Sequence, residues 1–284
     1  MTDLILHYSP SSFDSQIVLL TLIEKNVPFS GVIVDTESLD DIDPNYVRKA
    51  RICGVPMLEH DEVVRVGVPN IISYIDETFG GTDLNQGDTE QIEHWITRVA
   101  TAHIAELTLA TPPYPVPFPR MFSRSRIKHQ IDVANRLSRD VHDLGDIYRE
   151  HVRVLRHQFR TLGDEWKIND FYRNIGVVLD ALELQLKASP FAAGKTYSMA
   201  DVYLTALIGR LDALRLGYLW EEEDRPSVFE YVQRIKSRPS YVKVFDENSV
   251  PRLFSDGFFL KAVMSRVAIP VALLVVAVIL LLLL

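Results

Sequence analysis

Residues 55–66, VPMLEHDEVVRV, contain the pattern that decides the fold. Two apolar runs, at 55–59 and 63–66, flank a short polar turn at 60–62. Runs of this length, rich in valine and separated by a polar turn, predict a β-hairpin. We therefore predict two antiparallel strands here and read the rest of the chain outward from them.

The residues on either side of this hairpin alternate strand and helix signals. The predicted elements are a strand at 4–8, a helix at 17–26, a strand at 31–35 and, after the hairpin, a helix from Pro69 to Phe79. The polar stretch 36–51 has room for at most one short helix. Glycines and polar residues at 80–83 end this β-α-β, β-β-α order, so we predict an N-terminal domain over 1–81.

The second part of the chain is predicted to be almost entirely helical, as a domain over 82–257. The candidate helices lie at 88–108, 123–162, 171–187, 199–216 and 227–237. The apolar stripe of 123–162 fits either one long helix or two helices that are broken near Gly145. Residues 111–119, TPPYPVPFP, must be extended and serve as a stiff connector or as a proline-rich ligand for an aromatic groove. With the helical stretch that follows, they form an insertion at 111–163.

The chain is acidic overall but has one basic region. Its 284 residues carry 30 Lys plus Arg against 38 Asp plus Glu, a formal net charge of −8. This balance argues against a general nucleic-acid binder, which needs a basic face to displace counterions from phosphates. Residues 120–162 nevertheless hold ten Lys or Arg against five Asp or Glu. Such an excess fits a solvated helix face, and it also fits a surface at 123–162 for a protein or anionic-lipid partner.

Residues 267–284 form one uninterrupted apolar run. A helix of that length spans about 27 Å, close to the roughly 30 Å hydrocarbon core of a bilayer. Lys261 and Arg266 precede the run, and their long side chains can reach the headgroups. The run has no polar face to show to water, so we predict a single membrane span at 267–284 within a tail anchor at 258–284. The N-terminus lacks a basic and apolar leader, so no signal peptide is expected.

Residues 193–201, AGKTYSMAD, add a specific helix start. Ser198 and Asp201 have the spacing of a capping box, in which each side chain pairs with the backbone N–H of the other residue. Together with the order of elements in the first domain and Val55-Pro56, this stretch makes the chain resemble the glutathione S-transferases. The resemblance implies an α+β protein with a thioredoxin-like N-terminal domain and an all-helical C-terminal domain. It also implies that Pro56 is cis and that the backbone of Val55 holds the cysteinyl part of glutathione.

The insertion and the apolar tail resemble a narrower group, the ganglioside-induced differentiation-associated protein family. The stretches at 12–16, SFDSQ, and at 74–79 add to this resemblance. It implies a tail-anchored protein that faces the cytosol from the mitochondrial outer membrane and affects mitochondrial shape and fission. The strongly hydrophobic tail favours the endoplasmic reticulum instead, so that membrane is the alternative.

A glutathione site needs groups for both ends of the ligand. At the thiol end, a hydroxyl at the start of the first helix can stabilise a thiolate, which makes Ser12 the catalytic candidate, with Ser11 beside it. Serine before a helix is more often an N-cap than a catalyst. At the γ-glutamyl end, the resemblance implies an acidic or amide residue followed by serine, where this chain has Gly67 and Val68. Losing two contacts with a charged ligand weakens binding about a hundredfold or more.

The altered γ-glutamyl position predicts little or no transferase activity. The tail anchor, the basic insertion and the family resemblance together favour a role in membrane dynamics. The alternative is a membrane-bound glutathione-dependent transferase or peroxidase, which the retained Val55-Pro56 and the two serines at 11–12 support. No resident cofactor is expected, and glutathione is the small molecule that the resemblance suggests. The resemblance also implies a homodimer, although the insertion at 111–163 could obstruct the usual interface.

The remaining reactive residue types point to no further site. Cys53 is the single cysteine, which excludes an intrachain disulfide and a multi-cysteine zinc site. It lies in a loop ahead of the predicted groove, so we assign it a packing role. The eight histidines form no HExxH pattern, and His103 with Glu106 lacks a third ligand, so no metal site is expected.

Overall fold

The computed structural model describes residues 4–111 and 119–245, which belong to one compact unit. A four-stranded sheet forms the N-terminal part of this unit, in the order β2-β1-β3-β4. The strands are β1 (Ile5–Tyr8), β2 (Ser30–Ile33), β3 (Met57–His60) and β4 (Val63–Val66). β1 runs parallel to β2 and antiparallel to β3, and β3 with β4 forms the predicted hairpin.

Three helices accompany the sheet. They are α1 (Phe13–Glu24), α2 (Pro44–Ala50) and α3 (Val68–Thr78). Leu6 of β1 and Leu58 of β3 face the main hydrophobic core, which also contains the apolar residues of α1 and α3. α2 is the single short α-helix predicted for 36–51, and a 3-10 turn at Asp40–Ile42 precedes it. The predicted order of the N-terminal elements is confirmed.

The rest of the described chain is helical. The helices are α4 (Thr89–Ala100), α5 (Ile104–Ala110), α6 (Pro119–Asp140), α7 (Gly145–Thr161), α8 (Glu165–Leu186), α9 (Met199–Ala213), α10 (Pro226–Lys236) and α11 (Pro239–Phe245). Of the two alternatives for 123–162, the structure has two helices, α6 and α7. A 3-10 turn at His142–Leu144 separates them, close to the predicted break at Gly145.

The prediction of one helix over 88–108 was wrong, because the chain breaks between α4 and α5. The Thr101 hydroxyl donates a hydrogen bond to the Thr97 carbonyl at 2.8 Å, a contact that competes with continued helix. His103 has a left-handed backbone, with φ of 55°, and its ring stacks on Phe171 at 5.0 Å between centroids. Neither glycine nor proline marks this break in the sequence, so only the tertiary contact identifies it.

The predicted capping box is confirmed at the start of α9. Asp201 Oδ2 accepts hydrogen bonds from the Ser198 N–H and from its hydroxyl, both at 2.9 Å. The other carboxylate oxygen accepts from the Ala192 N–H at 3.0 Å and from the Tyr231 hydroxyl at 2.8 Å. Burial raises the pKa of Asp201, while these four donors favour the charged form. One carboxylate therefore connects the loop before α9 with α10.

The helical hairpin α6–α7 makes a second, smaller core with the N-terminal part. Leu144 and Tyr148 pack there against Ile42 and Val47, and Cys53 lies at the margin. The Tyr148 hydroxyl donates to the Ile42 carbonyl at 3.0 Å. The insertion thus rests on α2 and the turn that precedes it.

The predicted membrane span cannot be placed in this fold. Residues 267–284 and most of the proline-rich connector at 111–119 lie outside the described residues. Within 4–111 and 119–245, no helix combines the length and the apolar character that crossing a bilayer requires.

Candidate ligand-binding site

The register of the sheet brings the predicted site segments together. β1 and β3 pair His7 with Met57, and β3 and β4 pair Met57 with Val66. Met57 therefore lies beside the ends of both β1 and β4. The dipeptide at 55–56, which precedes Met57, lies at the same end of the sheet as the loop into α1 and the start of α3 at 67–68. The Val55-Pro56 bond is cis, as the resemblance implied. Three separate stretches of sequence therefore share one groove end.

Ser12 is the N-cap of α1. Its Oγ accepts a hydrogen bond from the Ser15 N–H at 3.2 Å, and its backbone is extended. Accepting this bond leaves the hydroxyl hydrogen available, and no acceptor for it lies among the described residues. A thiolate bound at this helix end would receive that hydrogen bond and would also face the positive end of the helix dipole. The two predicted roles of Ser12, capping and thiolate stabilisation, are therefore compatible.

A buried arginine from the helical domain supports the loop that carries Ser11. Arg210 Nη2 donates to the Ser11 carbonyl at 2.7 Å and to Gln16 Oε1 at 2.9 Å. Gln16 in turn donates to the Pro10 carbonyl at 2.8 Å. Burial lowers the pKa of Arg210 to about 10, so the guanidinium stays charged at neutral pH. Sequence reasoning missed Arg210, although an arginine inside the apolar stretch 202–211 was the available signal.

The first turn of α1 also holds a carboxylate. Asp14 is exposed and lies two residues after Ser12. A carboxylate at this position complements the helix dipole, and it also repels a second anion at the same end. Asp14 was missed because the predicted helix began at 17. Burial raises the pKa of Asp14, and the nearby Arg210 guanidinium opposes that rise and partly balances the carboxylate charge.

The start of α3 lacks side chains for a charged ligand. Gly67 is the N-cap, with φ of 80° and no capping side chain, and the side chain of Val68 is buried in the core. Asn70 donates its amide to the Val66 carbonyl at 3.3 Å. Pro69 removes one of the free N–H groups of this helix end. The described residues at this end thus offer an ammonium or a carboxylate little besides backbone.

Cys53 has the environment of a packing residue. It is half-buried at the margin of the second core, and the Tyr46 hydroxyl donates to the neighbouring Gly54 carbonyl at 2.9 Å. Burial, with a smaller contribution from the nearby Asp41 carboxyl, raises the pKa of the Cys53 thiol to about 12. A thiol with that pKa is protonated at neutral pH and is a poor nucleophile.

Within the described ranges, no three His, Cys, Asp or Glu side chains come close enough to hold a metal ion. His103 and Glu106 approach within 3.8 Å as a pair on α5.

Two families of known proteins match this chain, one in its N-terminal part and one in its C-terminal part. The family described as "Glutathione S-transferase, N-terminal domain" matches residues 6–83, and that described as "Glutathione S-transferase, C-terminal domain" matches residues 168–234. The α6–α7 hairpin lies between the two matched ranges.

Individual relatives agree with the family matches. Glutathione S-transferase TCHQD of Arabidopsis thaliana is 27% identical over 245 residues, which cover 84% of this chain and 88% of the relative. Human ganglioside-induced differentiation-associated protein 1-like 1 is a more distant match, 22% identical over 275 residues, covering 86% of this chain and 74% of the relative. Among solved structures, glutathione transferase F7 of Populus trichocarpa superposes with a TM-score of 0.59 at 22% identity, over 87% of this chain and 99% of that chain. The chain is therefore a glutathione S-transferase-like protein, with an N-terminal thioredoxin-like domain and a C-terminal helical domain.

Proposed function

We propose that this chain is a membrane-anchored, glutathione S-transferase-like protein with little or no glutathione transferase activity. It faces the cytosol from the mitochondrial outer membrane and acts in mitochondrial dynamics, including fission. The observation that carries the low activity is the start of α3, where Gly67 and the buried Val68 stand in place of polar side chains.

The γ-glutamyl end of glutathione carries an ammonium and a carboxylate, and both must leave water when they bind. A charged group that gives up water without finding a partner loses binding free energy. Gly67 has no side chain, and Asn70 already uses one amide N–H on the Val66 carbonyl. The start of α3 therefore argues for weak glutathione binding.

Support for the membrane location comes from the sequence and from one distant relative. The apolar run at 267–284, preceded by Lys261 and Arg266, has the length and composition of a single span. The mitochondrial outer membrane is what the resemblance to the ganglioside-induced differentiation-associated protein family implies, and the human member of that family matches this chain at 22% identity. The strong hydrophobicity of the run favours the endoplasmic reticulum, which is the competing location.

Calorimetry on the full chain, inserted into neutral nanodiscs, tests the low affinity for glutathione. We expect no measurable heat when glutathione is titrated to several millimolar. Binding at micromolar to low-millimolar concentration would contradict the proposal if Ser12→Ala abolishes it. Ser73→Ala, on the exposed side of α3, is the matched control and should bind as the native chain does.

Microscopy of a fluorescent fusion tests the location. We expect the full chain on mitochondria, with altered network morphology, and a diffuse distribution after deletion of 267–284. A reticular pattern would contradict the mitochondrial location and would assign the protein to the endoplasmic reticulum. Unchanged morphology effects in the deletion variant would overturn the anchored role.

A second candidate function is a membrane-bound glutathione-dependent transferase or peroxidase. The specific observation in its favour is the unused hydroxyl hydrogen of Ser12 at the start of α1, next to Val55-Pro56. Conjugation of an electrophilic dye and reduction of an organic hydroperoxide are the direct assays. Activity that Ser12→Ala removes, and that Ser73→Ala leaves intact, would favour this function.

A further inference from the structure

A shallow depression of about 730 Å³ lies on the α6–α7 hairpin. Its lining consists of His129, Asp132, Asn135, Arg136, Arg139 and Arg156. We call Arg136, Arg139 and Arg156 the arginine cluster. All three are exposed, two on α6 and one on α7, so the depression is formed by both helices of the insertion.

Unlike four other arginines of the hairpin, the three arginines of the cluster have no acidic partner close by. The ion pairs of the others are Arg120 with Glu165, Arg126 with Glu37, Arg149 with Asp146 and Arg153 with Glu150. Arg124 instead lies over the Phe159 ring, 4.1 Å from its centroid. Among the described residues, no carboxylate oxygen lies within 4.0 Å of the side-chain nitrogens of the cluster. Of the basic side chains of 120–162 that form no ion pair with another described residue, three line this depression, and the other three are Arg124, Lys128 and Arg160.

The chemistry of the depression suits phosphate. Guanidinium groups bind phosphate oxygens with paired N–H donors, and the Asn135 amide and the His129 ring add further donors. Asp132 is the only carboxylate that lines the depression, so an excess of two positive charges remains with His129 neutral. In a chain with a net charge of −8, such a local excess attracts anions that the rest of the surface repels.

The residues that line the depression also favour an anionic bilayer over a protein as the partner. Protein interfaces bury an apolar or aromatic centre inside a polar rim. All six lining residues are polar or charged, so the depression offers a protein partner no apolar centre. An anionic bilayer needs none, because phosphate groups near the surface attract each Lys or Arg independently.

We propose that the arginine cluster binds the phosphate groups of anionic phospholipids on the membrane that the tail occupies. This inference rests on the proposed membrane anchoring. The cluster gives the insertion a purpose that is separate from the glutathione S-transferase-like groove, since it lies outside both ranges that match that family. The arginine cluster adds a charge-dependent membrane contact to the hydrophobic contact that the tail makes.

Vesicle sedimentation at limiting lipid tests the proposal with the purified full chain. The comparison is between phosphatidylcholine vesicles and vesicles that also contain phosphatidylserine. We expect the native chain to prefer the anionic vesicles by a ratio on the order of a hundredfold, since each arginine adds about a factor of five to ten. The ratio should fall as salt is added. The triple variant R136Q/R139Q/R156Q should reduce the ratio to nearly one.

The matched control is R120Q/R149Q/R153Q, which removes the same charge from arginines that already have acidic partners. It should keep most of the preference. An unchanged ratio in the cluster variant, or an equal loss in the control, would overturn the proposal. No preference in the native chain would also overturn it and would favour an acidic protein as the partner. Binding to neutral vesicles depends on the tail alone. Absence of that binding would contradict the proposed anchor, and this outcome is distinct from a loss of the preference for anionic vesicles.

Discussion

At the scale of single residues, Ser12 combines a structural and a chemical contact. Its Oγ accepts the Ser15 N–H, so Ser12→Ala removes the cap of α1 and should lower the free energy of unfolding by about 1 kcal/mol. Ser12→Asn restores a capping oxygen but no hydroxyl, and it should unfold as the native chain does. Urea denaturation of the three proteins measures this. Glutathione binding that survives in Ser12→Asn would show that the hydroxyl itself contributes nothing to the ligand.

Asp41 makes stability depend on pH. Its side chain is buried, Oδ1 has no hydrogen-bond partner among the described residues, and burial raises its pKa to about 6. Below about pH 4 the carboxyl is protonated in the folded and the unfolded chain alike. Between about pH 4 and 6 only the folded chain keeps the proton, so the free energy of unfolding falls by roughly 2–3 kcal/mol as pH rises.

Asp41→Asn should therefore raise the free energy of unfolding at neutral pH and flatten its slope between about pH 4 and 6. Denaturation at a series of pH values measures both effects. Glu222→Gln, at an exposed carboxylate that does not contribute to the pKa of Asp41, is the control and should leave the slope unchanged. A slope that persists in Asp41→Asn would assign the pH dependence to another group.

The same scale shows what the sequence can and cannot predict about the site. Ser12, Val55 and Pro56 belong to segments with local signals, and the strand register brings those segments together. Arg210 lies 199 residues from Ser11, and no local pattern joins them. Its contact depends on how α9 packs behind α1, which single-sequence periodicity does not specify.

At the scale of elements, the α6–α7 hairpin packs in both cores: Ile127 and Leu155 belong to the main core, and the end where the two helices join lies in the small core, which contains one buried hydroxyl. Tyr148 is fully buried and donates to the Ile42 carbonyl, 106 residues away. Tyr148→Phe should lower the free energy of unfolding by about 1–2 kcal/mol, because the buried carbonyl loses its donor. Tyr148→Ala should cost about 3–5 kcal/mol, since it also opens a cavity.

Hydrogen exchange distinguishes local from global loosening in these variants. We expect faster exchange in α7 and around Ile42, with little change in α9, because the second core is separate from the main one. Tyr218→Phe changes an exposed ring and should leave exchange unaffected. Uniform acceleration across the chain would mean that the hairpin unfolds only with the whole domain.

Most elements were predictable because their signals are local. The hairpin at 55–66, the start of α3 near Pro69 and the capping box of Ser198 depend on spacing within a few residues. The start of α8 was predicted at 171 but lies at Glu165, because Asp164 caps the N–H groups of the first turn. That capping residue follows the insertion directly, and the apolar periodicity of α8 becomes clear only further along.

At the scale of the whole molecule, two groups of polar contacts, one part-buried and one largely buried, join the N-terminal part to the helical domain. Glu24, at the end of α1, accepts two hydrogen bonds from Arg238, at 2.9 and 2.6 Å, and one from the Ser240 hydroxyl. At the other end of α1, Arg210 holds the Ser11 carbonyl and the Gln16 side chain. Both ends of α1 are therefore held by residues about 200 positions away, and α1 unites the two parts as one folding unit.

The substitution Arg210→Met tests whether Arg210 joins the two parts of the chain. The substitution keeps the length of the side chain but leaves the Ser11 carbonyl and the Gln16 amide oxygen without a donor, at a cost of about 1–3 kcal/mol for each buried group. We expect a drop of several kcal/mol in the free energy of unfolding, and faster hydrogen exchange at 9–16. Arg173→Met, at an exposed pair with Asp170, is the control and should change stability by less than about 1 kcal/mol. If Arg210→Met unfolds in two separate transitions, the two parts unfold independently of each other without this contact. A single transition with the native midpoint would show that Arg210 does not join them.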